Sequence, residues 1–154
     1  AVKFYKNALN YRRKTDDPIG EANTLNNLGE AYTVVGSYQD RLGTYGTALR
    51  LAKVARDNLN QLRAIDGLVA AHSSVGRYNR AFDLLEKRLE IAKDLLNPRE
   101  ELKSFESYAR LYEKLGNYST ARNFYDRAII LAGTLEDSRK EVLLRSRVTQ
   151  MLKK

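Results

Sequence analysis

Residues 97–118 read NPREELKSFESYARLYEKLGNY, and this stretch contains the signals that define one structural unit of the chain. Asn97 is a strong helix N-cap, and Pro98 follows at the first helical position, where its missing N–H costs nothing. Apolar residues then recur at helical spacing as far as Gly116, a residue type that tolerates the left-handed conformation beyond a helix end. The stretch therefore predicts one amphipathic helix, a short turn, and a second helix that begins at Tyr118.

The same signals return at intervals of 40 residues. Gly-x-Tyr occurs at Gly36, Gly76 and Gly116, and each Gly is expected to end a helix. Other sets of residues with this spacing are Asp17, Asp57, Asn97 and Asp137; Leu28, Leu68, Tyr108 and Val148; and Tyr5, Tyr45, Leu85 and Tyr125. No segment of useful length alternates apolar and polar residues. The sequence therefore predicts an all-α repeat protein built of helix pairs.

The cap and turn signals also predict the organisation of the chain. We expect a single array over residues 1–154, with about seven to eight helices in an α-solenoid of antiparallel pairs. Its predicted parts are the second helix of a partial repeat at 1–14, repeats at 18–56, 58–96 and 98–134, and a terminal helix at 138–153. Because the chain starts without Met and inside a helix pair, further repeats or domains of a parent protein are expected at one or both ends.

A known repeat family has these features. Leu28-Gly29-Glu30-Ala31-Tyr32 resembles the first-helix motif of the tetratricopeptide repeat, and Ala48, Ala81, Ala121 and Ala128 stand where that family places small residues. The period is longer than the common 34 residues of the family. It resembles the extended variety of Leu-Gly-Asn-repeat adaptors and bacterial signalling proteins. The resemblance covers the whole chain and implies a right-handed superhelix.

Some residues depart from the repeat pattern. Arg41 and Arg88 occupy positions at which the other repeats carry Ala. Gly43 and Gly46 lie inside a second helix, where each Gly costs about 1 kcal/mol relative to Ala. We therefore expect this helix to be the least stable of the array. A hinge, or a close contact with another chain, is the alternative interpretation of the two glycines.

The formal charge of +8 could indicate a nucleic-acid partner, but its distribution argues against one. Residues 1–20 carry a net charge of +3 and residues 139–154 a net charge of +5, so the residues between them are neutral. Binding of phosphates along a repeat array would need basic residues on every unit. Nucleic acid is therefore an unlikely partner. No apolar stretch is long enough to predict a membrane span, and the lack of Cys and of a visible signal peptide favours a cytoplasmic location.

The sequence offers little for catalysis, so we expect no enzyme activity, no cofactor and no metal site. His72 is the only His and fills a position held by Tyr32 and Tyr112 in other repeats, which favours a packing role. Acidic pairs such as Asp16-Asp17 recur beside helix starts, where capping and the helix dipole explain them. No nucleophile motif or Gly-rich phosphate loop is present.

The resemblance implies that first helices line a concave groove, which holds an extended or helical peptide. By position, the candidate groove residues are Asn23, Asn26, Asn27, Glu30, Arg63, Asp66, Lys103, Glu106, Arg110, Lys114 and Arg147. An Asn amide can both donate to and accept from a peptide backbone, and the basic side chains would favour acidic partner residues. The sequence thus favours a scaffold or adaptor that binds a peptide or protein segment. A regulatory or sensor segment of a larger signalling or transcription protein is the alternative, and a nucleic-acid-binding helical repeat is a weaker one.

Overall fold

The computed structural model describes all of residues 1–154 and contains eight α-helices and no β-strand. The helices are α1 (Val2–Lys14), α2 (Pro18–Val35), α3 (Tyr38–Val54), α4 (Asn58–Ser74), α5 (Tyr78–Asp94), α6 (Pro98–Lys114), α7 (Tyr118–Thr134) and α8 (Ser138–Leu152). The chain forms two compact units, Ala1–Leu84 and Leu85–Lys154, and the division falls inside α5. Consecutive helices pack on each other from α1 to α4 in the first unit and from α6 to α8 in the second, and the short turns between them make them antiparallel. The prediction of an all-α fold of helix pairs is confirmed.

The helix starts have the predicted caps. The side chains of Asp17, Asp57, Asn97 and Asp137 each accept a hydrogen bond from the backbone N–H three residues further on. At Asp17 this hydrogen bond from Gly20, together with Arg12, holds the pKa of the carboxyl below its usual value. The acidic residues at these positions are therefore accounted for by helix capping.

Each turn between helices contains one residue with a left-handed backbone. Gly36, Gly76 and Gly116 have φ between 77° and 78°, as their sequence positions predict. The other four turns use non-glycine residues at the same 40-residue spacing, with φ between 50° and 56°: Asp16, Arg56, Leu96 and Glu136. The amide of Leu96 donates to the carbonyl oxygen of Lys93 and the amide of Asn97 donates to that of Ala92, which is the double hydrogen bond of a Schellman ending. This second set could not be predicted from the sequence, because its members share no residue type.

In the first unit, α3 packs between α2 and α4 through Tyr45. The Tyr45 side chain is buried, and its ring lies directly against the backbone of Gly29 on α2 and Gly67 on α4. A Cβ atom added at Gly29 would lie 2.6 Å from the ring. These glycines are therefore required for packing. Nearby, Leu25 and Leu28 form a core with Leu9 of α1.

In the second unit, α7 packs on both α6 and α8. Ala121, Tyr125, Ala128 and Ala132 of α7 are buried against Leu102 and Ala109 of α6 and Leu144, Val148 and Met151 of α8. Phe124 stacks on two rings of α6, with centroids 4.7 Å from Tyr108 and 5.7 Å from Tyr112. The small residues predicted for close helix crossings are thus at the helix contacts, where they allow that approach.

The departures from the repeat pattern have distinct structural outcomes. Arg88 is 1% exposed and donates to the Glu100 carbonyl oxygen and carboxylate and to the Ser104 hydroxyl, so it replaces a small residue with a buried ion pair. Arg41 stays near the surface and donates to Ser74 at 3.3 Å. The glycine-containing helix α3 is continuous, and neither Gly43 nor Gly46 has an atom within 4 Å of the place where a Cβ would lie. Internal packing therefore does not require these two glycines.

Candidate functional site

Four helices, α2, α4, α6 and α8, begin at the caps that recur every 40 residues, Asp17, Asp57, Asn97 and Asp137, and we call them the first helices. The predicted groove residues all lie on them. In the first unit, Arg63 of α4 reaches across to α2. Its Nη1 donates to Asn23 Oδ1 at 2.7 Å, and its Nη2 donates to Asn27 Oδ1 at 2.9 Å and Glu30 Oε1 at 2.8 Å. The structure therefore brings four of the predicted residues into one network at the surface.

This network fixes the orientation of the two Asn amides. The guanidinium group of Arg63 has only donors, so both Asn side chains must turn their oxygens toward it. Their Nδ2 groups then point away from Arg63. Asn23 is exposed and Asn27 is partly exposed. The surface of α2 thus presents oriented N–H donors, which are suited to peptide carbonyl oxygens.

Asn26 differs from its neighbours because its side chain is fully buried. Its Nδ2 donates to the backbone oxygen and to Oδ1 of Asn60, both at 3.1 Å. Asn26 therefore links α2 to α4 and does not belong to the exposed surface. The sequence could not predict that Asn26 is buried while Asn23 and Asn27 are not, because all three are Asn residues close together on one helix.

In the second unit, buried carboxylates of α6 meet basic side chains of α8 and of Lys154, which follows that helix. The Glu106 side chain is 7% exposed, and it lies 3.3 Å from Arg110 on its own helix and 3.1 Å from Lys140 on α8. Glu113 is 6% exposed at its side chain and accepts from Arg147 at 3.0 Å and from Lys154 at 3.4 Å. Each carboxylate thus has two cationic partners, because a buried charge must be compensated.

Glu113 also accepts a hydrogen bond of 2.9 Å from the buried hydroxyl of Tyr125 on α7. Burial acts to raise the pKa of Glu113, but the hydrogen bonds from Tyr125, Arg147 and Lys154 and the charge of Arg147 outweigh it, so the pKa lies below its ordinary value. The carboxylate is therefore charged at neutral pH and fixes Arg147 in place.

A pocket of about 330 Å³ opens beside these ion pairs. Residues of α6, α7 and α8 line it: Glu106, Arg110, Tyr125, Lys140, Leu143, Leu144 and Arg147. Only three of them, Glu106, Arg110 and Arg147, were predicted as groove residues. Lys140 and Leu143 had no signal in the sequence, because their roles depend on how α8 faces α6.

The remaining predicted groove residues are Asp66, Lys103 and Lys114. Lys103 pairs with Glu100 at 3.3 Å, and Asp66 and Lys114 are exposed on α4 and α6. His72 is only partly buried near the end of α4, and burial together with Arg80 and Arg77 lowers its pKa. No group of three or more His, Asp or Glu side chains is arranged to hold a metal ion.

No helix combines the length and apolar character needed to cross a membrane. Among solved structures, the crystal structure of BtubC (BKLC) from P. vanneervenii is similar over 97% of this chain, with a TM-score of 0.81 and 16% sequence identity. The chain spans 63% of the length of that protein, and at this identity the likeness supports the fold alone. No curated protein sequence matches the chain.

A family profile gives the assignment. The profile of the tetratricopeptide repeat matches residues 20–94 and, again, residues 61–132. The two matches together cover well over half of the chain and include helices of both units. They agree with the helix pairs and with the small residues at the helix contacts. The chain therefore belongs to the tetratricopeptide repeat family.

Proposed function

We propose that this protein is a non-catalytic interaction module, a scaffold or adaptor, whose first helices bind a peptide or protein segment. Tetratricopeptide repeats generally serve as protein-interaction modules, which supports the class of function. We propose two binding surfaces, one within each unit. The first, which we call the Asn surface, consists of Asn23, Asn27, Glu30 and Arg63. The second is the pocket between α6 and α8.

The arrangement around Arg63 is the observation that carries this proposal. Three of its hydrogen bonds to α2 are between 2.7 and 2.9 Å long, so the two amides are held in place before any partner arrives. A preorganised surface loses little conformational entropy on binding. Helix stability alone does not call for this network, because it lies at the surface, where such contacts contribute little. Presentation of donors to a partner backbone explains it better.

The test needs a partner, which affinity capture with the purified protein and mass spectrometry would supply. Binding of the purified partner is then measured by titration calorimetry against the double variant Asn23→Ala/Asn27→Ala. We expect the Kd to rise about tenfold, the effect of one or two lost hydrogen bonds of about 1 kcal/mol each. The matched control is Gln39→Ala/Arg50→Ala, which removes two exposed polar side chains from α3.

The Kd of the partner for the control variant Gln39→Ala/Arg50→Ala decides whether the proposal stands. We expect this variant to leave the Kd unchanged, because α3 is not a first helix. If the α3 variant weakened binding while the α2 variant did not, the partner would bind α3 and the proposal would be wrong. Thermal unfolding of each variant confirms that any loss of binding is not a loss of folding.

A further inference from the structure

We propose that the pocket between α6 and α8 receives one acidic side chain of the partner, with an apolar residue beside it. This inference rests on the proposed function and specifies the partner's chemistry. A Glu or Asp within a peptide segment is the occupant that the charge, the donors and the size of the pocket favour.

The charge around the pocket is positive even after the internal ion pairs are counted. Arg110 and Lys140 lie beside the single carboxylate of Glu106, and Arg147 and Lys154 lie beside that of Glu113. Four cations therefore share two anions. One added carboxylate would lower this excess without breaking an existing pair.

The guanidinium groups of Arg110 and Arg147 have N–H groups beyond those that bind Glu106 and Glu113. Arg110 contacts Glu106 only through Nη2, at 3.3 Å, and its side chain is 67% exposed. Arg147 donates to Glu113 from Nε and Nη2, so its Nη1 is not used on that carboxylate, and the Tyr125 hydroxyl also interacts with its guanidinium group. A guanidinium fork matches the two oxygens of a carboxylate, so Arg at this place favours a carboxylate ligand.

The carboxylate of Glu106 is already compensated. Its side chain is 7% exposed, and its Oε1 atom lies 3.1 Å from Nζ of Lys140. Its other oxygen, Oε2, accepts from Arg110 at 3.3 Å. Glu106 therefore adds no unpaired negative charge that would repel an acidic side chain at the pocket. The donors for that side chain come from Arg110 and Arg147.

The size and the remaining lining define the neighbouring residue. A volume of about 330 Å³ lies at the lower end of the range for ligand pockets, which suits one or two amino-acid side chains. Leu143 is 59% exposed and lines the same pocket. An apolar side chain next to the acidic one would cover Leu143 and exclude water from the ion pairs.

The proposal can be tested with capped peptides, which have no terminal charges. The probes are acetyl-Ser-Glu-Leu-Ser-amide, its twin with Gln in place of Glu, and sodium acetate at the same concentration. Titration of the isotope-labelled protein is followed by backbone amide NMR shifts. We expect the Glu peptide to shift amides of α6 and α8 around the pocket and to bind at least about fivefold more tightly than the Gln peptide, since it adds charge-assisted hydrogen bonds.

Two double variants separate the pocket from general charge. Arg110→Gln/Arg147→Gln should reduce the Glu peptide to the affinity of the Gln peptide. Arg122→Gln/Arg145→Gln removes the same charge from exposed pairs with Asp126 and Glu141, and should leave the preference intact. Equal binding of the Glu and Gln peptides, shifts confined to other helices, or an equal loss in both variants would overturn the proposal. So would acetate acting as strongly as the Glu peptide, because the site would then bind a simple anion.

Failure of this inference is distinguishable from failure of the proposed function. If the peptides show no preference for Glu but the α2 variant still weakens the partner, the acidic specificity is wrong and the interaction module stands. If variants of the first helices leave binding of the partner unchanged while the α3 variant weakens it, the proposed function is wrong, even if the capped peptides show a preference for Glu.

Discussion

Arg88 and Glu113 occupy positions at which the other repeats carry small or uncharged residues. Ala48 and Ala128 align with Arg88, and Thr33 and Ser73 align with Glu113. Both charged side chains are almost completely buried, and each is bound by partners from a neighbouring helix. The sequence showed that Arg88 departs from the pattern, but not that Glu100 and Ser104 would enclose it. That information lies in the pairing of α5 with α6, which residue type alone does not encode.

Removal of the buried Arg88 side chain should be strongly destabilising. In Arg88→Ala, Glu100 loses its buried cationic partner and keeps only the exposed Lys103, and a space opens at the helix contact. We expect the free energy of unfolding to fall by about 3–5 kcal/mol, the usual effect of breaking a buried ion pair. Urea denaturation measures it, with Lys87→Ala at the adjacent exposed position as the control. A change below about 1 kcal/mol in Arg88→Ala would contradict a stabilising role for the pair.

Glu113 should give the stability of the protein an acid dependence. Because its pKa in the folded chain lies below the ordinary 4.5, its contribution is complete above that value and is lost as the pH falls through the folded pKa. We expect Glu113→Gln to lower the free energy of unfolding at pH 7 by about 1–3 kcal/mol. Its stability should also fall less between about pH 6 and pH 3 than that of the original chain.

Chemical denaturation over this pH range makes the measurement, and Glu90→Gln, at an exposed position of α5, is its control. Parallel pH profiles for Glu113→Gln and the original chain would show that this carboxylate is not held in its charged form by folding.

At the scale of the helix, the sequence was most informative about boundaries. The caps at Asp17 and Asn97 and the left-handed Gly116 are local signals, and the structure has them where they were expected. The four non-glycine turns were not predictable, because Leu96 and Glu136 carry no preference for a left-handed backbone. The surrounding helix pairs impose that conformation on them.

Helix α3 should gain stability when its interior glycines are replaced. Gly43 and Gly46 have helical backbones and open space at the Cβ position, so Ala removes their conformational cost without a clash. We expect each substitution to raise the free energy of unfolding by about 0.5–1 kcal/mol. Amide hydrogen exchange in α3 should slow in parallel.

Gly29→Ala is the matched control, because the added methyl group would press on the Tyr45 ring. That variant should lose stability under the same urea denaturation. If Gly43→Ala or Gly46→Ala were destabilising as well, the glycines would have a conformational role that a continuous helix does not reveal.

For the molecule as a whole, the sequence located the excess positive charge at the two ends of the chain, and the structure explains much of it. Arg12 pairs with Asp17, and Arg13 pairs with Glu21. On α8, Lys140 pairs with the buried Glu106 and Arg147 pairs with the buried Glu113. These cations thus compensate carboxylates inside their own unit. The sequence could not predict this, because Glu106 and Glu113 read as ordinary surface positions of an amphipathic helix.

Only the positions of the candidate site residues along the chain were predictable, and their contacts with other helices were not. Helical periodicity placed Asn23, Asn27 and Arg63 on the first helices, and the family resemblance singled out that surface. The orientation of the amides and the existence of the pocket depend on contacts between helices. Leu143 shows this well, because no sequence signal marked it and it lines the pocket with more than half of its surface exposed.

Site-specific photocrosslinking with the purified partner tests the central claim, that first helices bind a partner segment, most directly. A benzoylphenylalanine is placed at Asn23 or Leu143 on the first helices, or at Arg50 or Ile130, which are exposed on α3 and α7. The account predicts crosslinks from Asn23, Leu143 or both, and none from Arg50 and Ile130. Crosslinks from Arg50 or Ile130 alone would contradict it.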